Sequence, residues 1–450
     1  MLILQFAPAV RGKLVPRFEA HLGVLLALLK QRGHGLSLLG LARHDEAPMK
    51  AALARSLPRL IYADISCVCV DAARRALAHI QQREFLPVIA GGAFAAAAPS
   101  TCLSLPGVQA VAVGEPDASL VAFLERAKDP AAAQVVAGVW TRDEHGLARP
   151  DLPPLIEALE SLPFPERELF GYARRVESTG ELEISTGRGC PQSCAYCRVP
   201  ALGRLYQGRG QWVRRRPPEN VLAEIDLLLR SYPAARVIRF VDHSFALDNA
   251  WLSEFLPKYK ARCGLPFRAH LRANAVDAAG CSALAAAGCA AADVEVVSGS
   301  DFIRNEVFAM DLHEEQILAA LGSLREAGIR SRATFYLGAP YESEASLERT
   351  RMLIARIRPD VLDVRPYFPW PGTPAADLAR ENGWLHPRGE TQYHSDRCGL
   401  DMPACRGEVV DAFIRRLRHE FPAASTEPWW RRWSQASRSA LAGWFPRRAP

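Results

Sequence analysis

Strand and helix patterns alternate along this chain in two successive runs, and a chain of that kind can close only a few α/β architectures. In the first run LILQFA reads as a short apolar strand. The stretch from Phe18 to Gln31 follows as a helix, with Leu22, Leu25, Leu26 and Leu29 on one face. GLSLLGLA is a strand, about 49–60 a helix, and YADISCVCV a strand apolar on both faces. A helix across 72–84 leads to LPVIAGG, a buried strand ending in Gly91 and Gly92. VQAVAVG ends at Gly114, just before Glu115, and DASLVAFLERA closes the run as a helix. This predicts a doubly wound, Rossmann-like parallel sheet over 1–150, with helices on both faces. Ligands of such sheets bind beyond the carboxyl ends of the strands. Gly91, Gly92, Gly114 and Glu115 are therefore the candidate ligand-facing loops, because glycine lets a backbone approach closely.

Between the runs the pattern changes. VVAGVWTRDEHGLARPD reads as a small hairpin, and Pro150, Pro153, Pro154, Pro163 and Pro165 punctuate a linker over 151–180. The second run, over 181–385, has six strands: ELEISTG, RVIRFVD, PFRAHLRA, ADVEVVSG, RSRATFYLG and DVLDVRPYF. Six β/α units of this length predict a partial (β/α)6 barrel, whose chemistry sits at the C-terminal strand ends. Residues 386–450 read as a small, mostly helical extension. It contains GEVVDAFIRRLRHEF and a tail rich in tryptophan and arginine.

The cysteines carry the chemistry. Cys190, Cys194 and Cys197 lie in GRGCPQSCAYCRVP, directly after the first strand of the second run. Thiolates are the ligands of iron–sulfur clusters. Three on one short loop can grip three irons of a cubane, which leaves the fourth iron open to a small molecule. A zinc site is the alternative, but it normally takes a fourth Cys or His in matching spacing, and none is obvious nearby. The spacing C-x3-C-x2-C, with Tyr196 before the last cysteine, resembles the radical S-adenosylmethionine (SAM) superfamily. The likeness runs on through PVIAGGAFAAAAP, RFVDHSFALDN, LRANAVD, VVSGS and FYLGAPYESEASLERT, and covers roughly residues 1–385. It implies a [4Fe–4S] cluster on the three cysteines, SAM on the open iron, and an electron donor such as flavodoxin or ferredoxin. It also implies an N-terminal domain of cobalamin-binding type.

The resemblance places the SAM contacts around Glu295 and Ser298, with Tyr196, Arg272 and Asn274 as further cofactor-binding candidates. Two departures stand out. Relatives usually carry Glu just before Ser-Gly-Ser, where this chain has Val297, and Lys near the position of Met310. Glu295 lies two residues before Val297 and on a regular strand would share its face, so it is the expected substitute. The D-x-H-x-x-G motif that ligates cobalt in some cobalamin domains is absent, and neither His34 nor His44 has its spacing. Cobalamin is thus a candidate cofactor, implied by the resemblance alone. Asp242 and His243, ending the second strand, and Tyr336, ending the fifth, are the candidate catalytic residues. Arg272 could also hold a carboxylate. Cys398 and Cys405 bracket a short loop and read as ordinary thiols. Cys263, Cys281 and Cys289 fall at helix or turn positions, and Cys67 and Cys69 in a buried strand.

Composition narrows the partners. With 55 basic and 49 acidic residues in 450, the formal charge is only +6, which speaks against a nucleic-acid partner. No apolar run reaches the ~20 residues that span a bilayer. MLILQFAPAVRGK lacks the charged start of a secretory signal, and 11 irregularly spaced cysteines suit a reducing compartment, so a cytoplasmic enzyme is expected. The leading expectation is cobalamin-dependent methylation of an unactivated carbon in a small-molecule or peptide substrate. Radical rearrangement, cyclisation, sulfur insertion or transfer of another SAM-derived group without cobalamin stays open, as does a non-catalytic Fe–S protein. Methylthiotransfer to tRNA is weakened by the mild charge.

Overall fold

The computed structural model describes residues 1–7, 16–41, 46–66, 69–83, 85–127, 135–143, 146–246, 248–386 and 397–422. The tail with Trp429, Trp430, Trp433 and Trp444 lies outside them, as do Cys67 and His44.

The first run folds into a seven-stranded sheet. Its strands are β1 (Leu2–Phe6), β2 (Ser37–Leu41), β3 (Ile61–Ile65), β4 (Val88–Gly91), β5 (Val108–Ala112), β6 (Val139–Asp143) and β7 (Gly146–Ala148). Their order is 2-1-3-4-5-6-7, with the first five parallel. Alternation along β1 shows why both faces are covered: Ile3 joins one core and Leu2, Leu4 and Phe6 the other. The Ile3 face packs on the helices Ala20–Gln31 and Pro116–Arg126, and its core runs on into the second domain.

Two expectations change here. The hairpin β6–β7 adds antiparallel strands to the β5 edge of a sheet expected to be wholly parallel. The third strand ends at Ile65, so Cys69 lies at the start of the helix Val70–Gln81, not in a strand. The linker is also more ordered than its prolines suggest. It carries a helix, Tyr172–Thr179, and the buried Arg167. Arg167 donates to the Glu183 carbonyl and Glu224, and its guanidinium lies 4.3 Å from the Phe18 ring centre, so the linker is stitched to both domains.

The second run forms a six-stranded parallel sheet in simple sequence order, as a partial barrel requires. Its strands are β8 (Glu181–Ile184), β11 (Val237–Phe240), β12 (Phe267–Leu271), β13 (Cys289–Val297), β14 (Arg330–Leu337) and β15 (Val361–Pro366). A two-stranded antiparallel ribbon, β9 (Gly187–Arg188) with β10 (Arg214–Arg215), stands just before and after the cysteine loop. Outside the barrel, Phe240, Phe245, Phe255, Tyr259 and Phe267 form one aromatic cluster, with ring centres 4.5–6.2 Å apart. Two of the barrel helices start on carboxylate caps: Asp248 accepts from the Trp251 amide and Asp277 from the Gly280 amide. The helix Gly407–Glu420 packs on β15 at the open edge of the barrel. Among the described residues no helix is long and apolar enough to cross a membrane.

Candidate active site

The strand order 2-1-3 puts a topological switch point between β1 and β3, where neighbouring crossovers leave in opposite directions and open a crevice. That crevice faces the mouth of the barrel. A cavity of about 730 Å³ lies between them. From the N-terminal domain it takes Ala7 beyond β1, Ser66 beyond β3, and Arg17 and Glu19. From the barrel it takes the three cysteines, Tyr196, Asp242, His243, Arg272, Glu295 and Tyr336. Residues distant in sequence thus share one wall.

The cysteine loop is fixed from outside. Arg272, at the end of β12, donates to Cys194 Sγ at 3.4 Å, to the Met310 carbonyl at 2.9 Å and to Asn274 Oδ1 at 3.3 Å. Asn274 in turn donates to the Asp311 carbonyl, and the Ala195 amide to the Phe308 carbonyl. Segment 308–312 is therefore a brace behind the loop. Arg272 serves as its clamp rather than as a free carboxylate fork, and Asn274 lies off the cavity wall. Burial raises the Cys190 and Cys194 thiols and pushes Cys197 up to about 12. Bare thiols in this wall keep their protons, and a metal would displace them. No three His, Cys, Asp or Glu side chains among the described residues are gathered for a single ion. A cubane takes its thiolates at three separate irons. Three thiols on one loop, facing a cavity wide enough for the cluster and a ligand, fit such a group.

Opposite the loop, Glu295 is held by two phenols. Tyr196 donates to one oxygen at 3.0 Å and Tyr336 to the other at 2.9 Å. One donor comes from the cysteine loop and the other from β14, so the carboxylate stands fixed beside the thiols. It is placed to accept hydrogen bonds from hydroxyl or ammonium groups of a ligand. The expectation that Val297 shares this face is overturned. Glu295 pairs with Thr334 and Val297 with Phe335, so Val296 is an extra residue, a β-bulge. Val297 takes φ of 72° and is fully buried, while Glu295 faces the cavity. A β-branched residue at positive φ is strained and marks a built feature.

Other expected site residues settle differently. Ser298 is buried behind the strand end, where its hydroxyl accepts from the Ser300 amide. Gly91 and Gly114 admit tyrosines of the chain itself: an added Cβ would stand 2.0 Å from the Tyr62 hydroxyl and 2.2 Å from that of Tyr206. Gly92 sits against the end of β3. Glu115 is bound in ion pairs to Arg188 and Arg214. None of these four lines the cavity. Asp242 does, but its carboxylate accepts from the Thr186 amide at 3.0 Å and ties β11 to β8. Burial raises its pKa. His243 is exposed towards the cavity, and desolvation among the surrounding groups, followed by the nearby Arg198 charge and the neighbouring His270 ring, pushes it down to about 4. Sequence reasoning missed Arg17, Glu19 and Ser66, which the 2-1-3 order would have located, and Arg198, whose guanidinium lies 5.4 Å from the Trp370 ring centre.

Comparisons with known proteins agree with this fold. Residues 184–354 match the model of the radical SAM superfamily. The anaerobic magnesium-protoporphyrin IX monomethyl ester cyclase of Cereibacter sphaeroides is 27% identical over 238 residues, 51% of this chain and 37% of its own length. A tRNA-2-methylthio-N(6)-dimethylallyladenosine synthase of Corynebacterium jeikeium is 26% identical over 248 residues, 50% of this chain and 45% of its own. The chain thus spans less than half the length of these curated relatives. Solved structures of the radical SAM methyltransferase TsrM from Kitasatospora setae resemble both domains. The form with cobalamin and a [4Fe-4S] cluster gives a TM-score of 0.68 at 18% identity, over 86% of this chain and 78% of that one. The form with tryptophan substrate and a SAM analogue gives 0.69 at 16%, over 99% and 89%. At such identities the likeness is one of fold. Residues 184–354 of this chain thus match the radical SAM superfamily, and the two domains together share the fold of TsrM.

Proposed function

We propose that this chain cleaves SAM reductively at a [4Fe–4S] cluster held by Cys190, Cys194 and Cys197, and methylates an unactivated carbon of a small-molecule or peptide substrate with cobalamin seated in the N-terminal domain. The observation that carries the reading is the shared cavity. The β1/β3 crevice, where a doubly wound sheet holds its ligand, opens onto the thiols and Glu295 at the barrel mouth. When bound, the cluster would supply the electron that breaks the sulfonium, and cobalamin would supply the methyl group. The protein's part is placement. Arg272 and the 308–312 brace hold the loop. Tyr196 and Tyr336 hold Glu295 for the amino or ribose groups of SAM. His243, neutral above about pH 4, offers an uncharged imidazole to the substrate. The fold similarity to TsrM, solved with cobalamin and the cluster, supports the pairing of cofactors.

The test is anaerobic reconstitution with iron, sulfide and hydroxocobalamin. The expected product is a brown protein that retains cobalamin bands after gel filtration and, once reduced with dithionite, releases 5′-deoxyadenosine and S-adenosylhomocysteine from SAM. Replacing all three cysteines with alanine abolishes iron uptake and SAM turnover while cobalamin is retained. Iron and turnover persisting in that triple variant refute the cluster assignment. Reconstituted wild type without cobalamin bands refutes the methyl-transfer reading alone.

A further inference from the structure

The root of the cysteine loop is anchored to the other domain by buried charges. Arg188, on β9 and two residues before Cys190, pairs with Glu115 at 2.8 Å and Asp117 at 2.5 Å. Arg214, opposite Arg188 on β10, pairs with Glu115 at 2.5 Å. Side-chain exposure is 6% for Arg188, 3% for Asp117, 2% for Arg214 and 13% for Glu115, so the quartet is largely cut off from water. Charges so desolvated hold a fixed geometry, because losing a partner strands an ion. Glu115 and Asp117 belong to the N-terminal domain, at the start of the helix Pro116–Arg126 after β5. Tyr206, from the barrel, locks the same corner by accepting the Glu115 amide at 2.7 Å over Gly114.

The ribbon passes this anchorage on. Next to Arg214, Arg215 donates to the Thr186 hydroxyl and to the Ser244 and Phe245 carbonyls. The Thr186 amide donates to Asp242. A continuous series of polar contacts therefore runs from the N-terminal domain, through β9 and β10, to the cysteine loop and the Asp242–His243 turn.

We propose that Arg188 is a positioning residue, through which the N-terminal domain sets the attitude of the cysteine loop by way of Glu115 and Asp117. This rests on the cluster reading only where the loop's contents are concerned. The N-terminal domain is then part of the frame of the cluster site as well as a holder for a second cofactor.

Asp117→Asn tests this in the full chain, since it leaves both Arg188 and Arg214 the Glu115 carboxylate; Glu115→Gln, which leaves Arg188 its Asp117 partner but strands Arg214, is the harsher second variant. Amide hydrogen exchange is followed in cluster-free and reconstituted protein. The expected result is exchange at least tenfold faster over 186–197 and 242–246, with β3, β4 and the core of β13 unchanged. The reconstituted variants should also show an altered EPR spectrum of the reduced cluster in the presence of SAM, at wild-type iron content. Unchanged exchange in both segments, or equal acceleration throughout the chain, overturns the proposal; the second would mean a merely structural role. Wild-type protein that takes up no cluster would refute the cluster reading instead, and the cluster-free exchange data would still decide the role of Arg188.

Discussion

Glu342 lies just past the barrel strand β14 and is fully buried, with its oxygens accepting from the Gly338 amide at 3.1 Å and from the Ser346 hydroxyl. No arginine or lysine is among the groups acting on it, so burial outweighs its hydrogen bonds and raises its pKa to about 7, against 4.5 for an ordinary glutamate. The sign for stability follows. The folded state keeps the proton after the unfolded chain has lost it, so stability is fully present below pH 4.5 and falls as pH rises towards about 7. At about 1.4 kcal/mol per pH unit, the loss across that window is ~3 kcal/mol. Glu342→Gln mimics the protonated acid: its carbonyl can accept from Gly338 and its amide can donate to Ser346 Oγ. The variant should match wild type near pH 4.5 and exceed it by ~3 kcal/mol at pH 8. Urea unfolding at half-unit pH steps measures this, read as the difference between the two proteins so that other titrating groups cancel. A difference independent of pH would show that Glu342 ionises normally and that its surroundings do not exclude charge.

Three further outcomes follow from the site. Tyr336→Phe removes one of the two phenols holding Glu295. Since a hydrogen bond to a charged group contributes roughly 1.5–3 kcal/mol, SAM affinity should fall about tenfold or more in the reconstituted enzyme, by equilibrium dialysis. Asp242→Asn keeps an acceptor for the Thr186 amide but loses the charge near Arg215, so it should assemble the cluster at wild-type iron content; failure to do so would make Asp242 essential to the loop. At Val297, glycine should be at least as stable as alanine in thermal unfolding, reversing the usual order, because the φ of 72° favours glycine.

The two sheets were legible in the sequence because short strand patterns alternate with helical ones and close on a glycine or polar turn, as in LPVIAGG and RFVD. The hairpin β6–β7 was legible as a hairpin but not as part of the first sheet. Its attachment depends on Trp140 pairing with Val111, a contact between strands that no local pattern announces. The cysteine loop could be read directly, since its three cysteines lie within eight residues. The glycines at 91 and 114 misled for a physical reason. A glycine reports that something comes close, but not whether it is a cofactor or, as here, Tyr62 and Tyr206.

Glu295 shows most sharply where sequence reading runs out. Period-two alternation puts residues 295 and 297 on one face, and on that assumption the two positions are interchangeable. The bulge breaks the alternation between them. It costs the chain a strained valine, yet it lets Val297 be buried while Glu295 meets the phenols of Tyr196 and Tyr336. An acid moved two residues along a regular strand would stand about 6–7 Å from its former place. The extra residue shortens that offset relative to β14, because two steps on β13 cover only one on its neighbour. A displaced carboxylate and a bulged strand are therefore one feature, and the positive φ at Val297 is what joins them.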